Sequence, residues 1–268
     1  MSLSRHRPGF PEAAATAGRP GGTAEPPGHV TVQGRAVALP VRVRDAVSVS
    51  AIYLVPSRGV RRLLGSAPLH VLELLPGRAL CVLAAVEYRD NDLGRYNEFA
   101  LNFFVEHGGP RPLPFLGLVS AFRRRTAGAY IHWLPVTTAF SRDAGRGIWG
   151  FPKTVEEIEF RDEDGWRRCT VVSGGIHVLT FSVRRGGRRT LPELPQPAFA
   201  WRDGVLFRTP SLMSGTGVGT RPGGARLLLG HHARADELRA LGLPRRAIMS
   251  SSVERMQAVF YGPERLAG

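Results

Sequence analysis

Residues 79–106, ALCVLAAVEYRDNDLGRYNEFALNFFVE, contain two runs of β-type residues, 79–89 and 96–106, on either side of a turn rich in Asp, Asn and Gly. The second run alternates. Asn97, Phe99, Leu101 and Phe103 make a mostly apolar set, and Tyr96, Glu98, Ala100 and Asn102 a mostly polar one. Successive strand side chains point to opposite faces, so this spacing predicts a strand with one face turned to a core. For Glu98, beside Tyr96 and Asn102, two readings follow: the wall of a polar pocket, or a solvent-exposed strand face.

The same texture extends in both directions, with short β-type runs broken by Gly, Pro and Asp turns. It predicts strands at 36–44, 47–55, 68–73, 128–135, 154–161, 167–173, 176–184, 204–209, 225–230 and 247–260, the last one broken. Helical signals are few. They fall at 58–64 after Pro56, at 137–146 behind the cap candidates Thr137 and Thr138, and at 234–242, where Asp236 and Glu237 favour the first turn. Many strands with a few short helices predict a mostly β, β-rich α+β fold, with a large antiparallel sheet closing into a barrel-like core and helices at its periphery. Residues 1–28 are rich in Pro, Gly and Ala and too poor in large apolar residues to fold, which predicts a disordered tail. No linker or repeat interrupts 29–268, which is expected to form a single domain.

The chain has 268 residues, of which 43% are hydrophobic, enough for a substantial core. Its longest apolar stretches, such as Ala79 to Val86, fall far short of the ~20 residues a membrane helix needs. The net charge of +14 raises nucleic acid as a partner, but no nucleic-acid-binding motif accompanies the arginine clusters, and aromatics are not interleaved with them. No specific nucleic-acid binding and no membrane association are therefore expected. Cys81 and Cys169 lack metal or redox spacing and are expected to be reduced and buried. No secretory signal pattern is present, so a cytoplasmic setting is expected.

One count stands apart: the 36 Lys and Arg residues include a single lysine, Lys153. Arginine serves for surface charge, but only lysine loses its proton near neutral pH and attacks a carbonyl as an amine. Lys153 lies in GRGIWGFPKTVEEIEF, residues 145–160, on a loop between a predicted helix and a predicted strand. Ile148, Trp149, Phe151 and Pro152 surround it with apolar groups, and desolvation disfavours an ammonium and makes the amine nucleophilic. The competing reading is a lysine whose stem lies on apolar surface while its amine reaches water.

Other candidates carry less. GTGVGT at 215–220 lacks the strand-to-helix setting of a phosphate-binding loop and reads as a flexible loop. His132, His177, His231 and His232 lack metal-ligand spacing and read as structural or surface residues, so no metal site is expected. Ser250 to Ser252 lack a nucleophile-elbow pattern and read as a turn or strand end.

The segment Gly145-Arg146 followed by Trp149-Gly150-Phe151-Pro152-Lys153 resembles the active-site stretch of the acetoacetate decarboxylase superfamily. Arg35 in VQGRAVALPVRV, Glu98 in GRYNEFALNFF and the stretch PRRAIMSSS at 244–252 match further family positions in the same order. The resemblance covers roughly 29 to 260. It implies a lyase whose Lys153 forms a Schiff base with a small keto acid and which needs no cofactor. Arg35 would clamp the substrate carboxylate, Glu98 would move protons or orient water, and Trp149, Phe151 and Met213 would supply an apolar wall. It also implies a homo-oligomer. The family is a known case of an amine activated by desolvation or by a second cation. Here Thr154 stands where decarboxylases carry a second lysine, Gly147 where they carry a glutamate, and Leu83 where a further glutamate is expected. These departures keep two alternatives open: an aldolase-dehydratase acting on pyruvate-like substrates through the same iminium, and a non-catalytic binder of an anionic metabolite.

Overall fold

The computed structural model describes residues 28–110 and 112–266. Most of the expected tail lies outside the described residues. The chain runs β1 (His29–Val32), β2 (Arg35–Ala38), β3 (Val41–Pro56), α1 (Ser57–Leu64), β4 (Leu69–Val71), β5 (Glu73–Leu75), β6 (Arg78–Asn91) and β7 (Tyr96–His107). Then follow α2 (Leu116–Arg124), β8 (Ala127–Val136), α3 (Ala139–Trp149), β9 (Lys153–Val155), β10 (Glu157–Glu163), β11 (Trp166–Ser173) and β12 (Ile176–Arg184). The chain ends with β13 (Arg189–Pro195), β14 (Ala198–Arg202), β15 (Val205–Thr209), β16 (Ser211–Arg221), β17 (Ala225–Leu229), α4 (Ala233–Ala240), β18 (Met249–Phe260) and β19 (Glu264–Leu266).

The mostly β expectation holds, but two details of it are corrected. The large sheet is mixed, because β8 pairs in parallel with both β9 and β14. It is also open. Its main path runs β13-β16-β18-β3-β6-β7-β8-β14-β15-β19 and ends in two different strands, so no closed barrel forms among the described residues. Parallel neighbours require a crossover rather than a tight turn, and α3 supplies the one between β8 and β9. A second sheet, β10-β11-β12-β17, packs against the large one, and β1 and β2 form a separate ribbon.

Alternation decides what each face of the large sheet does. Val49, Ala51, Tyr53 and Val55 of β3, Leu83 of β6, and Phe99, Leu101 and Phe103 of β7 belong to one core. That core also takes in Ile158, Val171, Leu179 and Phe181 of the second sheet and Leu238 near the chain's end. Phe99 bridges the two sheets, with its ring centroid 5.6 Å from Trp133 and 6.0 Å from Phe181. Each such side chain contributes about 1.5–3 kcal/mol by leaving water. On the opposite face the residues are smaller: Ser48 and Ser50 of β3, Ala84 of β6, Ala100 of β7. Small side chains on a curved face leave a hollow.

The segment 215–220, expected to be a loop, is the middle of β16. At two of its glycines, Gly215 and Gly219, neighbouring backbone comes too close for a side chain, and Gly217 has a φ of +68°. A β-carbon on Gly215 would stand 2.8 Å from the Arg255 carbonyl oxygen, and one on Gly219 would collide with the Gly186 carbonyl. β13 was masked in the sequence by its prolines, which a sheet tolerates here because β13 is an edge strand. β18 is one strand with register shifts rather than two pieces. Cys81 and Cys169 are free and buried, and burial pushes both thiols far up. Among the described residues no helix is long and apolar enough to cross a membrane.

Candidate active site

Helix α3 builds the site. Thr138 is its cap, as expected, with its hydroxyl oxygen accepting from the Ser141 N–H at 3.2 Å. The helix continues past the expected end at 146 to Trp149 and stops at Gly150, whose φ of +70° glycine adopts without strain. The chain then folds back. The Phe151 N–H donates to the Gly145 carbonyl at 3.1 Å, and the Lys153 N–H donates to the Phe151 carbonyl at 2.8 Å. Arg146 clamps the turn, its Nε donating to the Lys153 carbonyl at 2.6 Å. Lys153 is thus the first residue of β9 and not a loop residue.

Sheet register brings its partner. Lys153 lies beside Leu134 of β8, and Glu98 lies beside Val136 of the same strand. Leu134 and Val136 are two residues apart, hence on one face of β8. The Lys153 amine therefore meets the Glu98 carboxylate, with Nζ 2.8 Å from Oε2. Both residues are buried, at 3% and 8% exposure, so the pair is held out of water. The polar-pocket reading of Glu98 is the one this arrangement favours.

Two tyrosines complete the polar end. The Tyr88 hydroxyl donates to Glu98 Oε1 at 3.2 Å, and the Tyr96 ring lies 5.0 Å from Lys153 Nζ. The two rings stack at 4.4 Å. Burial, reinforced by the Glu98 charge, pushes both phenols well above their ordinary value and keeps them protonated as donors. Tyr88 was missed in the sequence. Its signal was its place in the run 79–89, where even positions face the same way as Glu98 across the turn.

These groups open into a cavity of about 420 Å³. Trp149, Phe151 and Met213 line it, and the Trp149 and Phe151 rings stack at 5.8 Å. Among the described residues that line it, only Lys153 and Glu98 carry charge. Arg35 is not among them. Its guanidinium lies 4.9 Å over the Phe140 ring and donates to the Asp92 carbonyl at 3.1 Å. Asn91 and Leu93 flank Asp92 and do line the cavity, which puts Arg35 at the rim.

Leu83, Gly147 and Thr154, read from the sequence as departures from the family pattern, fall in different settings. Leu83 belongs to the core on the far face, so a glutamate there would not reach Lys153. Gly147 is exposed on α3, and Thr154 follows the lysine with a buried hydroxyl that has no hydrogen-bond partner. Ser251 lines the cavity, while Ser250 and Ser252, at the start of β18, are buried. The histidines have structural partners: His132 with Glu237 at 2.9 Å, His177 with Thr180 at 2.9 Å, and His232 capping α4.

The family model described as Acetoacetate decarboxylase (ADC) matches residues 27–262. The chain belongs to the acetoacetate decarboxylase family. Solved structures with the same fold include the acetoacetate decarboxylase of Legionella pneumophila, at 17% identity and a TM-score of 0.62, covering 85% of this chain and 87% of that one. The enduracididine biosynthesis enzyme MppR in complex with pyruvate matches at 18% identity and 0.57, covering 85% and 90%. An acetoacetate decarboxylase-like enzyme from Sphingomonas wittichii RW1 matches at 15% and 0.54, covering 89% and 98%. No curated protein matches the chain by sequence. At these identities the likeness to acetoacetate decarboxylase family structures shows a shared fold.

Proposed function

We propose that this member of the acetoacetate decarboxylase family is a lyase that forms a Schiff base between Lys153 and a keto acid. The observation that carries the reading is the buried contact between the chain's one lysine amine and Glu98 at 2.8 Å. Transfer of a proton across this contact would give the free amine that Schiff-base formation needs, beside a carboxylic acid.

The amine attacks the ketone carbon to give a carbinolamine. Glu98 returns its proton to the hydroxyl, which leaves as water and yields the iminium. In a β-keto acid the bond to the carboxylate then breaks. Its electron pair moves into the iminium, carbon dioxide departs, and an enamine remains. Glu98, reprotonated from solvent, then protonates the enamine carbon and restores the iminium, and addition of water to the iminium releases the ketone and the amine. Arg35, at the rim, would draw the anionic substrate toward the mouth rather than hold it at the amine.

Thr154 favours a second reading, because it supplies no second amine beside the first. In that case the iminium loses a proton instead of carbon dioxide, and the enamine adds to an aldehyde, as in an aldolase-dehydratase. MppR has been solved with the condensation product of pyruvate and imidazole 4-carboxaldehyde, a product of that type of chemistry.

Borohydride reduction in the presence of acetoacetate, and separately of pyruvate with an aldehyde, tests the proposal. The expected result is an added mass on the peptide containing Lys153. Carbon dioxide release from acetoacetate would mark decarboxylation, and a condensation product would mark the aldol route. No adduct with any keto acid would leave a binder of an anionic metabolite.

A further inference from the structure

The cavity is larger than a four-carbon keto acid requires. At about 420 Å³ it would hold on the order of a dozen waters at ~30 Å³ each. Its charged groups are confined to one end, where Lys153 and Glu98 meet. From there the lining follows one face of β7 through Ala100 and Asn102 to Phe104. Glu98 to Phe104 is a run of roughly 20 Å at about 3.3 Å per residue. Neighbouring strands contribute Ile52, Val82 and Ala84 to the same stretch, all uncharged.

From this we infer that the substrate is a keto acid, or another carbonyl compound, with a long uncharged apolar body, its carbonyl at Lys153 and its body lying along Ala100 toward Phe104. The orientation rests on the Schiff-base reading given above. The apolar volume does not. A second carboxylate at the far end is excluded by the same lining, which offers it no cation. Small residues define the channel: Ala84 and Ala100 pair across β6 and β7, and a larger side chain at either would close it midway.

The test is a series of β-keto acids, namely acetoacetate and its butyl and octyl homologues, reduced with borohydride and read by mass at Lys153. Each buried methylene is worth about fourfold in affinity. Half-saturation of the adduct is therefore expected at a concentration at least ~10-fold lower for the butyl homologue than for acetoacetate. Ala100→Leu, and independently Ala84→Leu, should cut the preference for the octyl homologue over acetoacetate at least ~10-fold. An octyl homologue ending in a second carboxylate should form no adduct at comparable concentration.

Equal adduct formation across the series would overturn the inference and leave the Schiff-base reading standing. The matching secondary alcohols, which cannot form an imine, separate the opposite case by calorimetry. Length-ordered alcohol binding with no lysine adduct from any acid would overturn the Schiff-base reading and support the apolar channel. Alcohol binding without length order would count against the channel.

Discussion

Gly145 and Lys153 are matched in space: a β-carbon built on Gly145 would stand 2.7 Å from Cε of the lysine. The lysine stem passes directly under the last turns of α3, and only a glycine leaves room for it. Gly145→Ala should therefore push the amine away from Glu98. Adduct formation at Lys153 should fall at least ~10-fold, with a stability cost of about 1–3 kcal/mol from overpacking. Borohydride trapping together with a thermal melt checks both parts, and normal trapping would refute the match.

Glu98→Gln keeps the size of the side chain and removes the charge that faces Lys153. An ammonium left in the cavity without its partner is destabilising by roughly 3–5 kcal/mol unless it gives up its proton. Turnover should drop by ~10²-fold or more through loss of the proton carrier. A thermal melt discriminates this from simple misfolding: a cooperative melt with turnover lost supports the proton-carrier role, and normal turnover would refute it.

Leu101 and Ser50 face opposite sides of the large sheet, Leu101 fully buried in the intersheet core and Ser50 on the cavity wall. Leu101→Ala should cost about 2–5 kcal/mol. Ser50→Ala should change stability by less than ~1 kcal/mol. Denaturant midpoints measure both, and similar losses would mean the cavity wall is as tightly packed as the core.

Alkaline stability is set by buried phenols. Burial raises the hydroxyls of Tyr53, Tyr88, Tyr96 and Tyr130 above their ordinary value. In the unfolded chain they ionise near pH 10, so the folded state retains protons that the unfolded state has lost. Their contribution is fully present below about pH 10 and is lost as pH rises above it. Ultraviolet titration should show these four ionising only together with unfolding. Reversible ionisation in the folded protein would contradict their burial.

Where the sequence was legible, the reason was local. The cap at Thr138 and the alternation of β7 depend on neighbours a few residues away, and both were readable. β13 and β16 were not. Their Pro and Gly residues argue against strands until it is known that one strand lies at a sheet edge and that the other has backbone pressed against it. Helix α2 was also missed, and it leaves Leu116, Val119 and Phe122 exposed, so no single buried face announced it. Arg35 matched a family position in sequence, yet its ribbon sets it over Phe140 at the rim.

The sequence by itself determined the chemistry available: one lysine in the whole chain, set among apolar residues, and a carboxylate on the polar side of a strand. Those are properties of side chains and of their immediate neighbours. Only the tertiary structure decided that the two meet, and that small residues opposite the core leave a long apolar cavity beside them. The crossover β8-α3-β9 sets Lys153 next to Leu134, while the antiparallel pairing of β7 sets Glu98 next to Val136. Proximity across a sheet is fixed by register between distant segments, and no local pattern encodes it.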